Sequence, residues 1–176
     1  MGKNVLIVVD MQKDFVDGSL GTKEAASIVD AVVKKVEDFD GEVIFTRDTH
    51  CINYMDTQEG KNLPVIHCVK DTAGWQIIPV LDKICRERNA KCYDKPTFGC
   101  TALAEDLKKR YEDHEIAAVE LIGLCTDICV VSNALLVKAF MPELQVSVDS
   151  VCCAGVTPEK HEAALETMRS CQIFVK

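Results

Sequence analysis

Short apolar runs alternate along this chain with segments whose apolar positions fall three or four residues apart. The runs predict strands and the spaced segments predict amphipathic helices. Asn4 to Asp10 is the first run, apolar up to a terminal carboxylate, as expected of a strand buried on both faces of a parallel sheet. A polar loop with Gly18 and Gly21 leads to Thr22, a helix cap. Ile28, Val32, Val36 and Phe39 then keep helical spacing until Gly41 stops them. Glu42 to Thr46 is the second strand and runs into Arg47-Asp48-Thr49-His50. From Cys51 to Thr72 the chain is polar, with one short extended piece, Pro64 to Val69. A loop of that length inside a compact domain is usually functional.

Ile77 to Arg86 predicts a helix, and Ala90 to Asp94 a third strand ending at Lys95-Pro96. Thr101 opens a helix with Glu105 and Asp106 in its first turn and Lys108, Lys109 and Arg110 in its last, matching the helix dipole. Ile116 to Ile122 is the fourth strand. After the turn at Gly123 comes a helix that is apolar nearly all round and ends before Pro142, so it is expected to be buried. Leu144 to Val148 is a fifth strand, Thr157-Pro158-Glu159 a helix start, and Gln172 to Val175 a short sixth strand. The alternation implies βαβ units. The expectation is one α/β domain over residues 1–176, three-layer α/β/α and Rossmann-like, with a mainly parallel six-stranded sheet. Ligands of such sheets bind beyond the carboxyl ends of the strands, near the topological switch point.

Composition narrows the function classes. With 176 residues, 48% hydrophobic and 27% charged, the chain reads as an ordinary globular domain. A net charge of −8 with no Lys/Arg cluster argues against a nucleic-acid partner. No run approaches a membrane span, and Val5 to Val9 is too short for a signal peptide. After Met1-Gly2 the myristoylation pattern wants Ser or Thr where Leu6 stands. The ten cysteines do not resemble a disulfide framework. Cys85, Cys92 and Cys171 sit inside apolar runs, Cys152 and Cys153 are adjacent, and no C-x-x-C occurs. A reducing cytoplasm is the expected setting.

The singular polar residues gather at predicted strand exits. Asp10 ends the first strand, Asp48 and His50 follow the second, Lys95 ends the third, and Cys129 enters the helix after the fourth. Free N–H groups and the positive helix end favour a thiolate at Cys129, which would then be a nucleophile; the competing reading is one more buried cysteine. Lys95 could stabilise that thiolate and Asp10 could shuttle a proton, although each alone reads as a surface lysine or a cap. Backbone N–H groups around Cys125 and Cys129 would face a developing oxyanion. Asp48 and His50 point the same way from an extended segment and suit a divalent cation, with Glu59 and His67 able to complete the set. A plain Asp–His hydrogen bond is the alternative. His114 and His161 lie in charged contexts and read as solvated.

These motifs resemble a known family. Val8-Val9-Asp10-Met11-Gln12-Lys13-Asp14-Phe15, Thr46-Arg47-Asp48-Thr49-His50, Lys95-Pro96 and Gly123-Leu124-Cys125-Thr126-Asp127-Ile128-Cys129 look like the isochorismatase-like cysteine hydrolases, and are most similar to the nicotinamidases. The resemblance implies a catalytic triad of Asp10, Lys95 and Cys129, and a cis peptide between Leu124 and Cys125 with an oxyanion hole at the N–H groups of Cys125 and Cys129. It also implies one divalent metal ion (Zn, Mn or Fe) held by Asp48, His50, Glu59 and His67, with Asp56 competing for the place of Glu59. The implied partner is a small amide, sandwiched by hydrophobic side chains, and the implied assembly a homo-oligomer. Pocket candidates are Phe15, Leu63, Trp75, Phe98 and Leu124. The chain lacks the histidine that many nicotinamidases place between His50 and His67, and has Leu63-Pro64 where an aromatic often stands. Another small amide, a carbamoyl or ureido compound, or isochorismate is therefore an alternative substrate. A non-catalytic nucleotide- or metal-binding module is a third reading, disfavoured because Met11 to Asp17 is not glycine-rich.

Overall fold

The structure, a computed structural model, describes residues 2–176. Its centre is the strand β1 (Lys3–Val9), whose residues from Val5 onward are buried on both faces. The sheet runs β3-β2-β1-β4-β5-β6, and every pairing is parallel. Its further strands are β2 (Glu42–Asp48), β3 (Lys91–Lys95), β4 (Ile116–Leu124), β5 (Gln145–Ala154) and β6 (Phe174–Val175). The strand order reverses between β1 and β4, so the switch point lies where Asp10 and the segment after Gly123 emerge. The three-layer parallel α/β expectation holds.

Three short helices follow β1: α1 (Lys13–Val16), α2 (Lys23–Ser27) and α3 (Val29–Asp38). Thr22 caps α2 by accepting from the Ala25 N–H at 3.0 Å, but one continuous helix to Phe39 does not form, because Ile28 interrupts it. The polar segment after β2 contains a 3-10 turn at Tyr54–Asp56 and α4 (Gln58–Asn62), with Thr57 capping the latter. The expected extended piece at Pro64 to Val69 reduces to one bridge between His50 and Val69. Then come α5 (Pro79–Glu87) and α6 (Thr101–Glu112). Glu105 and Asp106 fall beyond the first turn of α6, so its dipole is complemented only at the basic end. Two helices complete the fold, α7 (Val131–Phe140) and α8 (Pro158–Ser170). α3 and α5 cover one face of the sheet, and α6, α7 and α8 the other.

Two expectations fail for physical reasons. Strand β5 continues six residues past Val148, because an irregularity between the Leu121–Val148 and Gly123–Cys153 pairs absorbs three extra residues and lets the strand run on through the polar Asp149 and Ser150. Helix α7 is not buried all round. Only Asn133, Ala134 and Val137 are buried, and its remaining apolar side chains are half-exposed.

Gly123 has φ of +112°, and an added Cβ would run into the carbonyl of Val9 on the adjacent strand. Gly123→Ala should cost on the order of 3 kcal/mol or more, combining left-handed strain with a backbone clash. Urea denaturation checks this, and a loss below about 1 kcal/mol would contradict it.

Candidate active site

Asp10 leaves β1 with φ of +47°, a left-handed conformation that Asp tolerates better than most residues. Thr46 of β2 donates its hydroxyl to Asp10 Oδ1 at 2.6 Å. Lys95, the last residue of β3, places Nζ 2.6 Å from Asp10 Oδ2, and neither side chain is exposed. The same ammonium donates to the Thr97 carbonyl at 3.2 Å and approaches Cys129 Sγ at 3.4 Å. The structure thus brings Asp10, Lys95 and Cys129 together from three strand exits.

Cys129 does not lie in the first turn of a regular α-helix. Residues Thr126–Val130 form a π-helical turn before α7 begins, and the Val130 N–H reaches back to the Cys125 carbonyl at 3.0 Å. The turn is tied down on two sides. Buried Asn133 donates to the carbonyls of Cys129 at 2.8 Å and Phe98 at 3.0 Å, and accepts from the Cys100 N–H at 2.8 Å. On the other side the Thr126 hydroxyl pairs with His161 Nδ1 at 2.8 Å, and Asp127 accepts from the Val156 N–H at 2.9 Å. His161 is therefore half-buried and engaged, not merely solvated. The peptide between Leu124 and Cys125 is cis.

Burial sets the electrostatics. Desolvation, with the Asp10 carboxylate adding to it, pushes the Cys129 thiol well above its usual range, and the Lys95 cation only partly opposes this. Burial thus works against the thiolate that helix-dipole reasoning favours. Burial also lifts the Asp10 carboxyl, against the pull of Lys95. Lys95 itself stays charged, because Asp10 and its other neighbours outweigh the burial that would push it down. A carboxylate of raised basicity beside a thiol is suited to accepting its proton and returning it.

Next to this cluster, Asp48, His50, Glu59 and His67 each offer one donor atom, and these atoms all lie within 4.8 Å of one another. His50 Nε2 is 3.0 Å from Asp48 Oδ2 and 3.6 Å from Glu59 Oε1, and His67 Nε2 is 3.6 Å from Asp48 Oδ2. His67 Nδ1 faces the Val65 carbonyl at 2.8 Å, which leaves Nε2 free to act as a donor atom toward the cluster. Burial would raise the Asp48 carboxyl, but the two imidazoles and Lys95 outweigh it and hold the group well below the usual carboxylate range. Among the described residues His50 Nε2 is buried without a hydrogen-bond partner. An orphaned buried nitrogen among two carboxylates and a second imidazole fits a borderline divalent cation. Asp56 is exposed and outside the group.

A cavity of about 560 Å³ opens over both clusters. Phe15, Leu63 and Phe98 line it, as do Cys125 and Cys129. Trp75 and Leu124 do not. Leu124 is fully buried in the sheet. Trp75 is held away, its indole N–H donating to the Thr49 hydroxyl at 2.8 Å and its ring lying under the Arg47 guanidinium at 3.7 Å. Several contributors escaped sequence reasoning. Thr46 orients Asp10, and buried Tyr54 packs against both imidazoles at 4.6 and 4.9 Å while donating to the Leu63 carbonyl. Leu20, Thr22, Ile128, Val156 and Lys160 also line it, as do Gln58 and Asn62 of α4. Of these only Tyr54, a lone aromatic in a polar stretch, carried a visible signal.

The isochorismatase domain model matches residues 4–176. The chain belongs to the isochorismatase family. Within that family it is similar in structure to a nicotinamidase from Bacillus subtilis, with a TM-score of 0.83 and 28% identity over 98% of both chains. A pyrazinamidase from Pyrococcus horikoshii, solved in complex with zinc, gives a TM-score of 0.78 at 28% identity, again over 98% of both. A nicotinamidase from Saccharomyces cerevisiae is 27% identical, covering 74% of this chain and 79% of that protein.

Because Lys95 is the only cation touching Cys129 among the described residues, Lys95→Met should slow alkylation of Cys129 by iodoacetamide on the order of tenfold or more. The exposed Cys51 and Cys171 serve as internal references in the same mass-spectrometric map. An unchanged ratio of labelling rates would sink the assignment of Lys95 to the thiol.

Proposed function

We propose that this chain is a metal-assisted cysteine amidohydrolase that converts nicotinamide and water to nicotinate and ammonia. One observation carries the reading: a single cavity is lined both by Cys129 and by Asp48, Glu59 and His67. A thiol nucleophile and a nitrogen- and oxygen-rich donor set across one small space suit an aromatic amide with a ring nitrogen. The similarity to nicotinamidases and a pyrazinamidase supports the same class, hydrolysis of an amide C–N bond.

In this reading Cys129 Sγ attacks the amide carbon as its proton passes to Asp10. Lys95 holds Asp10 in place and offsets negative charge on the sulfur as the bond forms. The N–H groups of Cys125 and Cys129 stabilise the oxyanion, an effect commonly worth about 3 kcal/mol per donor. Asp10 then protonates the departing nitrogen, ammonia leaves, and a thioester joins Cys129 to the acyl group. Water attacks that thioester, gives its proton to Asp10, and nicotinate departs with the thiol restored. A divalent ion bound by Asp48, His50, Glu59 and His67 would supply a ligand position for the ring nitrogen. Phe15, Leu63 and Phe98 would cover the ring faces.

Cys129→Ala should reduce ammonia release from nicotinamide by at least about 10³-fold, and retention of activity would exclude the thioester route. Benzamide, which keeps the amide but lacks the ring nitrogen, should be at least about tenfold poorer in kcat/KM. That gap should narrow after treatment with a chelator. Equal use of the two amides by untreated enzyme would favour the alternative of another small amide substrate.

A further inference from the structure

Gln12 is a fully engaged polar side chain that the reaction does not use. It is fully buried, two residues past Asp10. Its amide Nε2 donates to the backbone carbonyls of Asp48 and Trp75, both at 2.8 Å, and its Oε1 accepts from the Asp48 N–H at 2.7 Å. The side chain thus takes both main-chain groups of Asp48, as a neighbouring strand would. Strand pairing explains why it is needed. The β1–β2 ladder ends at Val8 and Phe45, whereas β2 runs on to Asp48 and pairs there with Lys95 of β3. On the β1 edge, Asp48 would have nothing to bond to without Gln12.

We propose that Gln12 is a positioning residue for the metal-ligand carboxylate, clamping the backbone of Asp48 so that its side chain meets His50 and His67. This rests on the metal-assisted reading above. Asp48 Oδ2 is the carboxylate oxygen nearest to both imidazole Nε2 atoms, at 3.0 and 3.6 Å, so a shift of its backbone alters both donor contacts. His50 is held separately, its N–H donating to Cys68 and its carbonyl accepting from Lys70. Loss of Gln12 therefore acts on one ligand rather than collapsing the set. Trp75 acquires a role here. Its segment is stitched to the residues around Gln12 by Lys13 N–H to the Gln76 carbonyl and Ile78 N–H to the Met11 carbonyl. The indole meanwhile bonds Thr49, next to Asp48. Gln12 and Trp75, neither of which lines the cavity, form one buttress behind Asp48.

The test uses the full chain, with Gln12→Leu removing all three hydrogen bonds and Gln12→Glu keeping the shape but losing amide donors. Zinc affinity is read by competition with a chromogenic chelator, and Asp48→Ala sets the background from the cysteines. Ile84→Ala, a cavity variant in the core under α5, controls for loss of stability alone. The Asp48-dependent zinc affinity should fall on the order of 10–100-fold in both Gln12 variants. Ile84→Ala should lower Tm yet keep zinc affinity within about twofold, since distant sites act independently. Wild-type zinc affinity in Gln12→Leu, or in Gln12→Glu where the leucine variant does not fold, would overturn the inference alone. Equal loss in Ile84→Ala would reduce Gln12 to a merely structural role. Zinc uptake by wild type that survives Asp48→Ala would remove the metal site and the inference together.

Discussion

The buried ion pair between Asp10 and Lys95 is the interaction on which the rest of this site depends. Two charges without solvent contact are costly to hold, and an unmatched one would be costlier still. The fold offsets that cost with partners from β2 and from the bend after β3: Thr46 on Asp10, and Asp48 and Thr97 around Lys95. The geometry needs a long side chain. β2 lies between β1 and β3, so Lys95 reaches across the end of β2, roughly 10 Å of sheet, to meet Asp10.

Lys95 also joins the two halves of the site. Its ammonium lies 3.4 Å from Cys129 Sγ and 3.6 Å from Asp48 Oδ1, so it belongs to the nucleophile cluster and borders the donor cluster. A change in charge at the donors reaches the nucleophile both through this cation and directly from Asp48, in a region where little water screens it. The Gln12 clamp adds a mechanical link between the same halves, since the turn that carries Asp10 also carries the amide that holds Asp48. Chemistry and substrate anchoring share parts here.

What the sequence made legible follows from this arrangement. Strands buried on both faces write uninterrupted apolar runs, so β1, β2 and β4 stand out, and their exits carry the polar residues that converge. Asp10, Lys95, Cys129, Asp48 and His50 were readable because each stands in a motif at or just past a strand end, whereas Glu59 and His67 were readable only as ligand types in the long polar loop that follows. Strand β5 was only half legible, because a bulge lets Asp149 and Ser150 sit inside a strand. The π-helical turn at Cys129 left no trace in spacing. The upward push on the Cys129 thiol likewise follows from complete burial, which residue order does not encode. Trp75 misled because a large aromatic near a site suggests a wall, whereas its indole hydrogen bond and Arg47 stack point it elsewhere.

The half of the site that would contact a ring is built differently from the half that would cleave an amide. Asp10 and Lys95 hang from the ends of sheet strands, where ladders on neighbouring strands limit their movement, and Cys129 sits in the π-helical turn just past β4, held by Asn133 and by the Thr126 and Asp127 contacts. Glu59 and His67 instead sit in the stretch between β2 and α5, held by isolated contacts: the Thr57 cap, the Tyr54 hydroxyl on Leu63, and the Cys68 N–H on Asp14. Asp14 also accepts weakly from Ser19, so one carboxylate ties the Phe15–Leu20 wall to the His67 side of the cavity. Replacing residues between these anchors can reshape the cavity without disturbing the sheet, because no ladder runs through them. The cleaving groups are therefore constrained by the fold, and the recognising groups by a handful of side-chain bonds in one loop.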